Sequence, residues 1–174
     1  TRGRPEVTAI KTFGDWHEDQ VMTLTASVEA QSEHPLAQAV VRRAKSHELP
    51  LADAVAFQSI TGGGVRANVD GHDMLIGKAD LLDEESITNI GSGRKQAEVH
   101  QSEGETVIFV AIDGMLGAIM AISDPIKENT PSALETLHAL GLRVIMLTGD
   151  AQPTAKAVAG KLGIDEFHAG VSPH

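Results

Sequence analysis

Hydrophobic and polar positions change period several times along this chain, and each change marks an element. Residues 5–13 (PEVTAIKTF) alternate and are β-branched, which predicts a strand. After Asp15, read as a cap, the spacing becomes helical: Val21, Leu24 and Val28 share one face of a helix running to about Gln31. A second helix is expected from Pro35 to about His47. Its inner face carries Leu36, Ala39, Val40 and Ala44, and Arg42, Arg43 and Lys45 face water. Three short strands follow at 54–60, 65–70 and 73–77, punctuated by TGGG and DGHD turns. Residues 79–103 are polar and read as two helical pieces broken around GSGR. Apolar strands return at 106–112 and 115–122, and the Asp113-Gly114 pair between them is a strong hairpin signal.

The pattern then changes character. Asp124-Pro125 opens a new unit, Thr130-Pro131 starts an amphipathic helix over 130–140, and Gly141 ends it. RVIMLTGD, residues 143–150, is a continuous apolar run of the kind expected for a buried parallel strand. TAKAVAGKLG is the next helix, stopped by Gly163, and IDEFHAG starts another strand. Strand and helix alternate here, as they do around a parallel sheet. The expected boundary lies near 122, with antiparallel α+β before it and part of a doubly wound α/β unit after it.

Composition narrows the function classes. Apolar residues make up 41% of the 174, so the chain is globular rather than disordered. A net charge of −10 argues against nucleic acid as a partner, because phosphate backbones are held by Lys/Arg fields. It argues equally against a basic membrane anchor. With no cysteine, thiolate chemistry and disulfides are excluded. No apolar run approaches ~18 residues. The chain starts at Thr1-Arg2-Gly3-Arg4-Pro5 without a Met and stops at Val171-Ser172-Pro173-His174, which reads as a piece of something larger.

Several short stretches carry candidate chemistry. In QSEHPLAQAV, Pro35 sits at the first helical position, so His34 stands at the helix mouth among free N–H groups. A planar imidazole there can stack on a purine, and Glu29, five residues earlier, can accept from an exocyclic amino group. The bland alternative is a solvated cap histidine and a solvated glutamate. In ITGGGVRA, Gly62 and Gly64 bracket a tight turn where a flat ring or a phosphate can approach backbone, although a plain hairpin turn explains them too. Gly77 ends a strand, and Lys78 after it can reach a phosphate or simply be solvated. Thr148, Gly149 and Asp150 fall at the carboxyl end of an apolar strand, the edge where open α/β sheets bind ligands. Their hydroxyl, N–H and carboxylate suit a phosphoryl oxygen and Mg²⁺; the bland alternative is a helix-capping turn. Asp124 and Lys127 stand at the junction of the two units, in what is otherwise a surface Asp-Pro turn. The remaining histidines, 17, 47, 72, 100, 138, 168 and 174, show no metal-ligand spacing, so no metal-binding residue is assigned.

It is the order of these motifs that carries most. Glu29…Ser32-Glu33-His34-Pro35-Leu36, then Thr61-Gly62-Gly63-Gly64-Val65, Ile76-Gly77, Asp124-Pro125-Ile126-Lys127 and Met146-Leu147-Thr148-Gly149-Asp150 resembles the cytoplasmic ATP-binding region of heavy-metal-transporting P-type ATPases, over nearly the whole chain. The wording SDPIKENT and VIMLTGD is most similar to the copper branch; a zinc/cadmium pump is the alternative within the family. The resemblance implies an α+β nucleotide-binding domain over 1–122, an antiparallel sheet flanked by helical hairpins. It implies that 123–174 is a truncated α/β phosphorylation domain of the haloacid-dehalogenase type. By the same resemblance Glu29, His34, Gly62, Gly64 and Gly77 line an adenine and ribose pocket. Asp124, Thr148, Gly149 and Asp150 face the γ-phosphate and Mg²⁺ on the catalytic, phosphoryl-transfer side, where Lys127 is placed with Asp124 at the junction. The implied partners are ATP and the rest of the phosphorylation domain, the actuator domain and the transmembrane domain of one pump, which makes this a cytoplasmic part of a membrane protein. Lys78 departs from the asparagine common in the subgroup. Neither Asp-Lys-Thr-Gly-Thr nor Gly-Asp-Gly-x-Asn-Asp occurs in the chain, so it is expected to bind ATP without phosphorylating itself. A free-standing phosphatase of the same fold would need an early Asp-x-Asp at a strand end, which is absent; a nucleotide-sensing module without turnover is the rival from another class.

Overall fold

The computed structural model describes residues 3–61, 63–164 and 166–171. Six strands form one sheet: β1 (Glu6–Thr12), β2 (Ala54–Ile60), β3 (Gly64–Val69), β4 (His72–Gly77), β5 (Thr106–Ile112) and β6 (Met115–Ser123). Their order is β1-β6-β5-β4-β3-β2, and every pairing is antiparallel. The two tightest reversals are Asp70-Gly71 (φ 51° and 85°) and Asp113-Gly114 (φ 52° and 80°). Both central residues lie at positive φ, the geometry whose twist matches the flanking strands.

Each face of this sheet buries its own core. On one face Val65, Ala67, Val69, Met74, Ile76, Val110 and Met120 pack against α1 (Glu18–Glu29) and α2 (Pro35–Ser46). On the other, Leu75, Phe109, Ile119 and Ala121 pack against α3 (Ala79–Glu84) and α4 (Ile90–Ser102). Because both faces are covered, the central strands β5 and β6 are apolar without alternation.

Three local expectations change. The cap of α1 is His17 rather than Asp15: Gly14 turns the chain at φ 67°, and Gln20 Oε1 accepts the His17 N–H at 3.1 Å. The break between α3 and α4 falls at 85–89, where Ser86 and Asn89 take left-handed φ, and GSGR lies inside α4. Gly93 is there for proximity, because a Cβ would sit 2.5 Å from Leu116 Cδ2. Arg42 does not simply face water; its Nη2 donates to the Pro5 carbonyl at 2.6 Å and ties α2 to the entry of β1.

Beyond β6 come α5 (Thr130–Ala139), β7 (Ile145–Leu147), α6 (Gln152–Leu162) and β8 (Glu166–His168). β7 and β8 pair in parallel as a separate two-stranded sheet. The run expected as a long buried strand is three residues of strand, with Ile145 45% and Leu147 67% exposed. β8 covers one edge of β7, and no further strand among the described residues covers the other. α6 packs against α4, so the two parts of the chain touch. No described helix is long and apolar enough to cross a membrane.

Candidate functional site

The first group of candidate residues sits on the α1–α2 hairpin. Glu29 closes α1 and is buried, at 7% exposure, with no hydrogen-bond or ion-pair partner for its carboxyl among the described residues. Burial pushes its pKa up from 4.5 to about 7, because a charge without a partner is poorly solvated there. Its carbonyl accepts the Ser32 N–H at 3.0 Å, and Ser32 Oγ accepts the His34 N–H at 3.3 Å. Serine therefore shapes the turn and leaves the capping to the imidazole. His34 Nδ1 accepts the Leu36 N–H at 3.2 Å, with Pro35 supplying the first helical residue. An accepting Nδ1 is unprotonated, so the neutral ring carries its proton on Nε2. The ring is held at Nδ1, and the residue is otherwise exposed.

The second group lies where β3 and β4 meet. Gly64 and Gly77 are direct cross-strand partners. A Cβ on Gly64 would sit 2.0 Å from the Ile76 carbonyl oxygen, and one on Gly77 would sit 2.4 Å from that of Gly63. Neither position tolerates a side chain without moving backbone. Gly63 accepts the Lys78 N–H on its carbonyl at 3.0 Å, and a Cβ there would press Leu81 at 3.3 Å. The result is a bare backbone wall. Gly62 lies outside the described residues. Both groups belong to elements that pack on one another, since α1 lies across β3 and β4.

The third group lies at the carboxyl end of β7. Thr148 N–H donates to the His168 carbonyl at 2.9 Å, and the Gly170 and Val171 N–H groups return to the Asp150 and Thr148 carbonyls. This loop does not cap α6: the N-cap is Ala151, without a side-chain cap bond. Instead Asp150 accepts from Thr148 Oγ1 at 2.8 Å and from Thr106 Oγ1, at the start of β5, at 3.1 Å. Lys78 Nζ donates to the Gly149 carbonyl at 3.4 Å. The glycine wall and the Thr148–Asp150 loop thus meet through Lys78 and Thr106, residues that motif order alone does not pair.

Asp124 and Lys127 stand apart from that loop. Asp124 Oδ1 accepts the Arg4 N–H at 3.3 Å where β1 is entered and β6 is left. Lys127 is exposed, and its carbonyl accepts the Thr130 N–H at the start of α5. No hydrogen bond or ion pair among the described residues joins either side chain to Thr148, Gly149 or Asp150.

Comparison with known proteins gives the family. The chain is 43% identical over 173 residues to copper-transporting ATPase 2 of Rhizobium meliloti (strain 1021), covering 99% of this chain and 21% of that protein. It is 43% identical over 173 residues to the silver exporting P-type ATPase of Salmonella typhimurium, with the same coverage. It therefore spans about a fifth of the length of these curated relatives. Among solved structures, the catalytic domain of the CPx-ATPase CopB-B, studied on nucleotide binding, superposes with a TM-score of 0.73 at 28% identity, over 99% of this chain and 57% of that one. A zinc-transporting PIB-type ATPase in the E2.Pi state gives 0.66 at 37% identity, over 97% of this chain and 27% of that one. The model of the haloacid dehalogenase-like hydrolases matches residues 1–173, so the chain belongs to that family.

Proposed function

We propose that this chain is the ATP-binding cytoplasmic part of a P-type ATPase that exports a heavy-metal cation, copper by the wording of its motifs and the names of its relatives. In this reading residues 1–122 form the nucleotide-binding domain and 123–174 a part of the phosphorylation domain. The remaining phosphorylation domain, the actuator domain and the transmembrane domain belong to the same pump. The likeness to a zinc-transporting pump favours zinc as the second choice of cargo.

The observation that carries the reading is Glu29, a buried carboxyl without a partner on the hairpin that holds His34. A purine fits both residues. Its ring stacks on the imidazole, and its amino group gives the Glu29 carboxylate the donor that the chain itself withholds. At Gly64 and Gly77 the room a Cβ would need is taken by the chain's own backbone, which leaves a wall without side chains, with Gly62 beside it in sequence, for a flat ligand to lie along. Recognition of a neutral base also lets a chain of net charge −10 hold an anionic ligand.

ATP, when bound, supplies the phosphoryl group, and Mg²⁺ screens its charge. Thr148 and Asp150 offer the oxygen donors that suit Mg²⁺. Gly149 supplies a backbone N–H for a phosphoryl oxygen, and Asp124 and Lys127 contribute where the two units join. The chain holds no Asp-Lys-Thr-Gly-Thr, so it binds nucleotide and does not turn it over. In the pump, its task is to position the γ-phosphate, the larger part of phosphoryl-transfer catalysis.

Nucleotide titration of the 174-residue chain tests this. His34→Asn keeps a capping side chain and removes the ring, so the fold is retained and ATP affinity drops about tenfold, the scale of a lost stacking contact. Equal ATP affinity in the folded variant would overturn the assignment of His34. No binding to the parent chain would overturn the reading itself.

A further inference from the structure

Away from the candidate nucleotide site, the end of α4 gathers three metal-ligating side chains. His100 lies in its last turn, Glu103 is its C-cap residue and Glu105 precedes β5. One ligand atom from each lies within 4.8 Å of the other two. Histidine spacing alone does not reveal this group, because two of its three members are glutamates. We propose that His100, Glu103 and Glu105 form a binding site for a divalent transition cation of the zinc class, placed where the two parts of the chain touch.

The donor set is one imidazole nitrogen and two carboxylate oxygens, which suits zinc and leaves a fourth position for water. Bonds of about 2.0–2.1 Å in tetrahedral geometry separate ligand atoms by roughly 3.4 Å. His100 Nδ1 and Glu105 Oε2, now 2.6 Å apart, would open by less than an ångström. Glu103, exposed and without a partner for its carboxylate among the described residues, would swing in. Binding requires Nδ1 free of a proton, any proton there being released to solvent, with the ring N–H on Nε2, so that the Nδ1 lone pair faces the cation.

The surroundings are built rather than loose. Gly104, at φ 90°, closes the turn that brings Glu105 back beside His100, and the Glu105 N–H donates to the His100 carbonyl at 3.1 Å. Thr8 sits where the β1–β6 register shifts, and its Oγ1 donates to Glu105 Oε1 at 2.6 Å, fixing that carboxylate from behind. The opposing charge is Lys161 of α6, whose ammonium donates to the Glu103 carbonyl. Thr154 of α6 donates to the Glu105 carbonyl at 2.8 Å. A cation held by Glu103 and Glu105 would therefore stiffen the very segment on which α6 rests, and metal occupancy would couple to the docking of the two units.

Zn²⁺ titration of the whole chain, by calorimetry and by the amide and imidazole NMR signals of 100–105, tests this. Stoichiometric binding is expected, weakened at least tenfold in His100→Ala and in Glu105→Gln and several-fold in Glu103→Gln. Lys161→Gln, which removes the repelling charge, is expected to tighten it, and His47→Ala to leave it unchanged. Where His100→Ala fails to fold, Glu105→Gln, which keeps the Thr8 contact, and the exposed Glu103→Gln decide the matter. ATP affinity stays at the parent level in all these variants. Absence of Zn²⁺ binding, or binding that survives Glu105→Gln and Glu103→Gln undiminished, would overturn the proposal.

Discussion

Glu29 is a residue whose surroundings, rather than its type, set its chemistry. Burial raises its pKa from 4.5 to about 7, so the folded state holds a proton that the unfolded chain releases at lower pH. The folded form binds more protons between those values, and stability must fall as pH rises through that window. Its contribution is complete below the unfolded value and gone above about 7. The span corresponds to about 3 kcal/mol, most of it lost between pH 5 and 8. Urea unfolding at pH 5 and pH 8 should show the parent chain losing about 2 kcal/mol more than Glu29→Gln over that interval. The same group gives the proposed purine contact a pH dependence. An amino donor favours the ionised carboxylate, so ATP affinity should rise from pH 6 to 8 in the parent and stay flat in Glu29→Gln. His34 supplies the complementary lesson. Its place at the helix mouth follows from Pro35, but the reason for an imidazole is visible only with Ser32 turned to the His34 N–H and Nδ1 turned to Leu36.

At the scale of elements, periodicity reveals most of what packs and little of what approaches closely. The strands at 54–60, 106–112 and 115–122 are legible because their apolar runs are bounded by turn residues; the helix from Pro35 is legible because its cap and its inner face agree. GSGR misleads because glycine signals a break and a close approach with the same letter. Gly93 lies under Leu116 inside a helix, whereas the real break comes at Ser86 and Asn89, residues that reach positive φ without being glycine. The run at 143–150 misleads because an apolar strand is buried only when other strands flank it, and one described neighbour is too few. For the candidate site, sequence order picks out Glu29, His34, Gly64, Gly77 and the Thr148–Asp150 loop. Lys78 is legible as a cation after Gly77, but its reach to the Gly149 carbonyl is not, and Thr106 carries no mark at all, because contact between distant segments leaves no local pattern. The glycines can be separated by experiment. Gly64→Ala forces a methyl to 2.0 Å from the Ile76 oxygen, and should cost about 2 kcal/mol or more by displacing the β3–β4 ladder. Gly160→Ala, inside α6 with nothing within 4 Å, should instead stabilise by up to about 1 kcal/mol. Urea midpoints of the two variants, moving in opposite directions, would establish which glycines the close approaches require.

For the whole molecule, the question is how firmly the part after Ser123 is held to the six-stranded sheet. The contact is small and polar at its edges: Thr106 to Asp150, Thr154 to the Glu105 carbonyl, Lys78 to the Gly149 carbonyl and Lys161 to the Glu103 carbonyl. Between them α6 buries Ala155 and Ala159, with Thr154 only 2% exposed. The sheet has large cores on both faces, whereas the second unit has a two-stranded sheet, and its Leu140, Leu142 and Leu147 are all more than half exposed. Such a unit depends on its neighbour, and domains joined through small polar contacts move unless something holds them. Thr154→Val keeps the volume but removes the donor to the half-buried Glu105 carbonyl, at a cost of about 1 kcal/mol. Because that energy belongs to the docking, it should appear in the second unit alone. Hydrogen exchange should quicken through α6 and β7 while β5 and β6 keep their protection. Protease should cut the exposed 125–129 segment sooner. Thr106→Val releases Asp150 from the first unit and should act in the same direction, with the two effects adding if the contacts are independent. Uniform loss of protection across both units would instead mean that they unfold together, and that the docking is part of one cooperative fold rather than a hinge.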